Sequence, residues 1–269
     1  MTYDDYMDNL QNACAMAARF ISSYFNRMKT SIKEFRWFQT TPQYPAFQHL
    51  GFRYKNQVYS VLIAMVDKDG GLMVDGQFVE LQKEACKEFN MIPCMILLKG
   101  NAIMTLFPSA PFPLVSTHYL EGKNEDVSPH AMDMEKRTEM SKWEINSIGI
   151  WEVRNRLVNE KAEILSYCDY IGVSPSIWYE KEGKKNMVYM KVFGPDGMIG
   201  TFPTEMSPRQ KRQFAQFGCY YAETTLVPEN GDRLVRGEPF RIRYSGLKPF
   251  DLNSLADAKR DFIARSSID

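Results

Sequence analysis

At 269 residues the chain is long for one domain and suits two, each large enough to bury its own core. Hydrophobic residues at 44%, aromatics at 13% and charged residues at 25% exclude a disordered chain. Thirty-three basic side chains cancel thirty-three acidic ones, so no general electrostatic drive toward nucleic acid or an anionic membrane exists, and only a local patch can supply one.

The opening residues, "MTYDDYMDNL", lack the basic and apolar regions of a targeting signal. From Tyr6 to Phe35 apolar residues recur at three-four spacing, which predicts one long amphipathic helix. Its stripe, with Met7 and Met28, either lines a core or docks a partner helix; sixteen methionines make adaptable apolar surface plausible. "TTPQYP" (40–45) breaks the helix. A hairpin follows, "AFQHLGFRY" and "VYSVLIAMV", turning at Lys55, Asn56 and Gln57. "DKDGG" (67–71) reads as a turn; a calcium loop would need a further ligand where Gly71 stands. A helix at 78–90 leads into the strand "MIPCMILLKG" and another near "AIMTLF". "VYSVLIAMV" and "MIPCMILL" have strand length, far below the roughly 18–20 residues of a membrane span.

Residues 121–142 are almost wholly polar and read as a linker. The order then recurs: a helix running through Ile150 to Cys168, the hairpin "SIWYEKEGKKNMVYMKVF", the turn "GPDG" (194–197), a helix at 207–217, the strand "CYYAETTLV" and a closing helix from Asn253. "KNQVYSV" at Lys55 and "KNMVYMK" at Lys185 lie 130 residues apart, and residues 82–116 align without gaps on 210–244 with seven identities. Those identities include Gln82/Gln210, Lys83/Lys211, Phe89/Phe217, Leu98/Leu226, Leu106/Leu234, Pro111/Pro239 and Phe112/Phe240. The expected fold is therefore α+β: two tandem related units, 1–120 and 143–269, joined by a polar linker at 121–142. Each is a small, mostly antiparallel sheet covered on one face by helices, and the first carries the more apolar strands.

Chemistry-bearing motifs are sparse. The five cysteines, Cys14, Cys86, Cys94, Cys168 and Cys219, are widely spaced, odd in number and without a CxxC pair, which argues against a disulfide framework or a zinc site. His49, His118 and His130 fall in separate segments without ligand spacing, and His49 reads as a core-edge or surface residue. Gly194, Gly197 and Gly200 bracket a Pro-Asp turn and carry no phosphate-loop pattern. Trp37, Trp143, Trp151 and Trp178 read as packing residues.

The order of helix, hairpin, helix and strand is similar to the core of restriction-endonuclease-like nucleases, whose strands carry an aspartate and a Glu/Asp-x-Lys pair for magnesium. That resemblance implies chemistry lost in both copies. "SVLIAMV" has no carboxylate, "VYMKV" keeps only Lys191, Glu182-Gly-Lys184 falls in a hairpin turn, and Asp196 follows the strand. The order is also similar to the secretion-chaperone-like fold, which implies a module that binds other proteins.

Residues 209–248 carry eight cations against four anions, a net of +4, with Tyr220, Tyr221 and Tyr244 interleaved. Arg209, Lys211, Arg212, Arg233, Arg241 and Arg243 are the candidate nucleic-acid or anion face. The competing reading is a half-solvated, charged edge. The sequence thus predicts a cytoplasmic, soluble binding or adaptor protein whose partner is another protein, without cofactor, metal or catalytic residues. The alternative is a nucleic-acid-associated protein on a degenerate nuclease scaffold; an enzyme with a site invisible in sequence stands third.

Overall fold

The computed structural model describes residues 3–30, 34–40, 47–100, 102–104, 114–123, 127, 136–200 and 207–249. They form a mixed α+β structure with two sheets, in two compact units. Unit 1 is Met1–Glu139 together with Val235–Glu238, and unit 2 is Met140–Leu234 together with Pro239–Asp269.

In unit 1 the order is α1 (Tyr3–Arg27), β1 (Phe35–Gln39), β2 (Leu50–Tyr54), β3 (Gln57–Val66), β4 (Leu72–Met73), α2 (Gly76–Phe89), β5 (Ile92–Lys99), β6 (Ala102–Met104) and β7 (Val115–Ser116), closed by a 3-10 turn at Thr117–Glu121. The sheet runs β1-β2-β3-β5-β6, with β3 and β5 parallel and the other pairs antiparallel. Alternation along β3 sends Tyr59, Val61 and Ile63 to the α1 side, where they pack with Ile21 and Phe25. Leu62 and Ala64 go to the other side and pack on Val79 of α2. Parallel neighbours need a crossover, and α2 supplies it by lying on the second face. Helices therefore cover both faces, a correction to the expectation of one.

In unit 2 the order is α3 (Lys142–Asn159), β8 (Glu163–Tyr167), β9 (Ile177–Lys181), β10 (Lys184–Gly194), β11 (Gly197–Ile199), α4 (Pro208–Phe214), β12 (Gly218–Pro228) and β13 (Phe240–Pro249). The sheet runs β13-β12-β10-β9-β8, again with one parallel pair, β10 and β12. A capping box starts α3: the Ser141 hydroxyl accepts from Glu144 N–H and the Glu144 carboxylate accepts from Ser141 N–H. From Trp143 to Ile150 this helix is buried on every side. The shorter α4 places Phe214, followed by Phe217, against Trp178 at centroid distances of 5.7 and 5.2 Å, on the side of β10 that carries Met187 and Tyr189.

Two expected helix ends differ. The first helix stops at Arg27, where Lys29 takes φ 53°, and Phe35 returns to the same core from β1, stacked on Phe25 at 4.4 Å. The helix read as reaching Cys168 stops at Asn159; Lys161 takes φ 65° and Leu165 stands in β8. The expected break at 41–45 and the closing helix from Asn253 lie outside the described residues, as do the pairs Leu106/Leu234, Pro111/Pro239 and Phe112/Phe240 on their first-unit side.

The element order and strand path from α1 to β6 recur from α3 to β13, while β7 and the 3-10 turn have no counterpart among the described residues of unit 2, and the repeated "KNxVY" string is out of step with both. Ile92 of β5 and Tyr220 of β12 are 128 positions apart, whereas their parallel partners, Tyr59 and Val188, are 129 apart. One residue of slip reverses the side of the sheet. Tyr59 accordingly stacks on Phe52 beneath α1, while Tyr189 lies on the α4 side. The 128-residue offset keeps Cys94, Ile96 and Leu98 facing the same way as Ala222, Thr224 and Leu226; beyond β5 it fails, because β6 falls on residues 230–232, ahead of β13.

Candidate binding face of the second unit

Strand register decides which of the sequence-nominated cations share a surface. Thr225 pairs with Arg243, Val227 with Arg241 and Tyr221 with Lys248 across β12 and β13. Tyr221 belongs to the cluster beneath α4, so Arg241, Arg243 and Lys248 project on the side that α4 occupies. Arg209 and Arg212 of α4 are exposed and Lys211 is half-buried. Ser207 opens that helix with a capping box to Gln210, which fixes the turn carrying them. Five of the six nominated residues thus stand on one side of one sheet.

Arg233 departs from the group. It lies in the connection between β12 and β13, and its Nη1 donates to both carboxylate oxygens of Asp196, at 2.7 and 2.8 Å. Arg241 pairs with Glu229 at 3.0 Å, with its side chain 79% exposed, so the pair is weakly held. Among the described residues Arg209, Lys211, Arg212 and Arg243 make no ion pair.

Beneath the cations lies a partly buried floor. Lys191, 7% exposed, sits 3.3 Å from Glu223 and 4.7 Å above the Tyr221 ring, and Lys248 lies 5.5 Å from the same ring. Desolvating an ammonium is costly, and the carboxylate and the ring face together offset that cost. Trp178 is covered edge-on by Phe214 and Phe217. Tyr221 and Trp178, both half-buried, thus already have cationic or aromatic neighbours. Sequence reading found the cations and missed Glu223 and Lys191 as a pair; the signal was their parallel register, Lys191 opposite Glu223, which appears only once β10 and β12 are known to be neighbours.

His49 and the buried cysteines serve the cores, whereas His118 and Asp67 lie in local surface contacts. His49 is buried in unit 1, its Nδ1 accepting from Ile63 N–H at 2.9 Å and its ring perpendicular to Phe78; burial lowers its pKa to about 4. Full burial corrects the expectation of a core-edge or surface residue. His118 lies 3.3 Å from Glu121, and His130 is outside the described residues. Burial pushes the thiols of Cys14 and Cys86 to about 12 and Cys168 to about 11, which keeps them protonated and unreactive. Asp67 is consumed by its own turn, accepting from Asp69 N–H at 2.9 Å and Gly71 N–H at 2.7 Å. Among the described residues no three His, Cys, Asp or Glu side chains stand together to hold a metal.

Two buried polar networks anchor helices, α2 to β3, β5 and the 3-10 turn, and α3 to the segment after β8. In unit 1 the Gln82 amide donates to Ser60 O at 2.7 Å and Cys94 O at 3.1 Å, and its oxygen accepts from Thr117 Oγ1 at 2.7 Å. In unit 2 the Ser147 hydroxyl donates to Asp169 Oδ2 at 2.6 Å and Asn146 donates to Asp169 O at 2.7 Å. Burial raises the Asp169 carboxyl to about 6, against the lowering effect of Ser147 and Trp143. No helix among the described residues is long and apolar enough to cross a membrane. The chain matches no protein-family model, no curated protein and no solved structure.

Proposed function

We propose that the chain is a non-catalytic cytoplasmic binding protein built from two copies of one α+β unit, and that unit 2 holds an acidic surface of another protein. The element order and strand path shared by α1 to β6 and α3 to β13 support the copying. The observation that carries the binding reading is the gathering of Arg209, Arg212 and Arg243, without ion pairs among the described residues, on the side of the sheet occupied by α4. A surface with uncompensated cations is favoured by an anionic partner, and steers it at long range.

Nucleic acid is the second reading, because the same cations suit phosphates. The engaged state of Tyr221 and Trp178 disfavours it, since sequence-tolerant binding of single strands uses open aromatic faces. The test uses the triple substitution Arg209→Glu, Arg212→Glu, Arg243→Glu, with fluorescence anisotropy against polyglutamate and a single-stranded oligonucleotide. Polyglutamate should bind the native chain and lose at least about tenfold with the variant. Tighter oligonucleotide binding with a steep salt dependence would favour the second reading. Equal behaviour of native and variant chains toward both probes would overturn the face.

A further inference from the structure

Among the described residues β13 ends the sheet of unit 2, with β12 on one side and no strand on the other. Its first five residues, 240–244, pair with β12 in regular register; an irregularity at Ser245 and Gly246, the latter at φ 84°, ends that stretch. The two sides of this edge differ in chemistry. Arg241 and Arg243 are exposed on the α4 side, whereas Phe240, Ile242 and Tyr244 are half-buried on the α3 side, where the Arg156 guanidinium lies 4.7 Å over the Tyr244 ring. An edge strand presents a row of unpaired backbone groups, and a strand added to it places its own side chains beside those of its neighbour, two residues per repeat.

Resting on the reading of unit 2 as an acid-binding face, we propose that β13 accepts an extended segment of a partner protein in which acidic and apolar residues alternate. The acidic residues stand beside Arg241 and Arg243, the apolar ones extend the row of Phe240, Ile242 and Tyr244, and the backbones pair as in β-augmentation. Arg243 is open to a carboxylate, and Arg241 exchanges one exposed partner, Glu229, for another. A second copy of the chain fits poorly: pairing β13 with itself brings arginine rows together on one side, and like charges across a ladder are unfavourable. An acidic helix spaces its charges at three and four residues and leaves the edge groups unpaired.

The test measures binding of three peptides to the full chain: one alternating Glu with Val and Ile, one of the same composition with the Glu residues in a block, and the alternating peptide N-methylated at every second residue on either parity. The alternating peptide should bind at least about tenfold more tightly than the block peptide, lose that advantage when the parity facing β13 is methylated, and weaken about tenfold with Arg243→Glu. Equal binding of alternating and block peptides, both abolished by Arg243→Glu, would overturn strand addition while leaving the basic face intact. Binding of no peptide, with no effect of Arg243→Glu on polyglutamate, would overturn both. Self-association of the native chain that Arg243→Glu alters would assign β13 to a second copy and end the proposal.

Discussion

Two buried titratable side chains give the units opposite responses to acid. Asp169 has its carboxyl raised to about 6, chiefly by burial. Protons are bound alike in folded and unfolded states below the unfolded value near 3.8; between there and 6 the folded state holds a proton that the unfolded chain has released, so stability falls as pH rises. His49 has the reverse sign. Its pKa is lowered from 6.5 to about 4, so the unfolded chain takes the proton first and stability falls as pH drops through that window. Each shift corresponds to about 3 kcal/mol. Asp169→Asn keeps an acceptor for the Ser147 hydroxyl and removes the titration. Denaturant unfolding followed at several values from pH 4 to pH 7 should show the variant gaining on the native chain as pH rises. A constant difference across that range would show that the carboxyl does not titrate there. For His49→Gln the gap should widen in favour of the variant as pH falls from 6.5 to 4.

Close approach of α3 to its sheet explains why Gly149 stands mid-helix, where glycine is ordinarily unfavourable. A Cβ at that position would meet Thr224 Oγ1 at 2.5 Å and both Val192 methyls at 2.8 Å. Gly149→Ala should therefore lower stability by about 1–3 kcal/mol, the overpacking cost exceeding the roughly 0.5–1 kcal/mol of helix propensity gained. Gly76, at the start of α2, has open space around its Cβ, so Gly76→Ala should be neutral or stabilising by up to ~1 kcal/mol. Thermal unfolding of the two variants separates packing from propensity; destabilisation of both would remove the packing explanation. The same contrast between local signal and packing governs what the sequence revealed. The β2–β3 and β9–β10 hairpins and α2 were legible because their apolar runs are bounded by turn residues. The strands β1 and β8 were not: Phe35 and Leu165 happen to continue a three-four spacing, so the sequence period runs on after Lys29 and Lys161 have turned the chain. Periodicity records which residues are apolar, and cannot show that a residue reaches the same core from a different element.

At the scale of the whole chain, composition nominated the cations of unit 2, and strand register decided which of them share a side. Arg236 shows how far apart those two kinds of information lie. In sequence it belongs with Arg233 and Arg241, yet it is 4% exposed and its guanidinium donates to Asn56 O at 3.1 Å, Phe89 O at 3.3 Å and Asn90 O at 2.9 Å. It is held in unit 1 by Arg236 N–H donating to Thr138 O at 2.9 Å and by the bridge between Glu139 and Val235. Its charge meets the negative end of α2, where carbonyls lack helical partners, and the carbonyl of the β2–β3 turn. Unit 1 therefore depends on residues 235–238, distant in sequence from the rest of it. Arg236→Ala in the full chain leaves buried carbonyls without donors and should cost about 2–4 kcal/mol. Arg236→Lys should recover only part, because a point ammonium cannot span a fork of acceptors. Hydrogen exchange reads the location: protection should fall at residues 54–58 and at the end of α2 in the alanine variant, and be partly restored in the lysine variant. Unchanged protection at both places would mean that the three hydrogen bonds do not hold the turn and the helix end, and that unit 1 is stable without its remote segment.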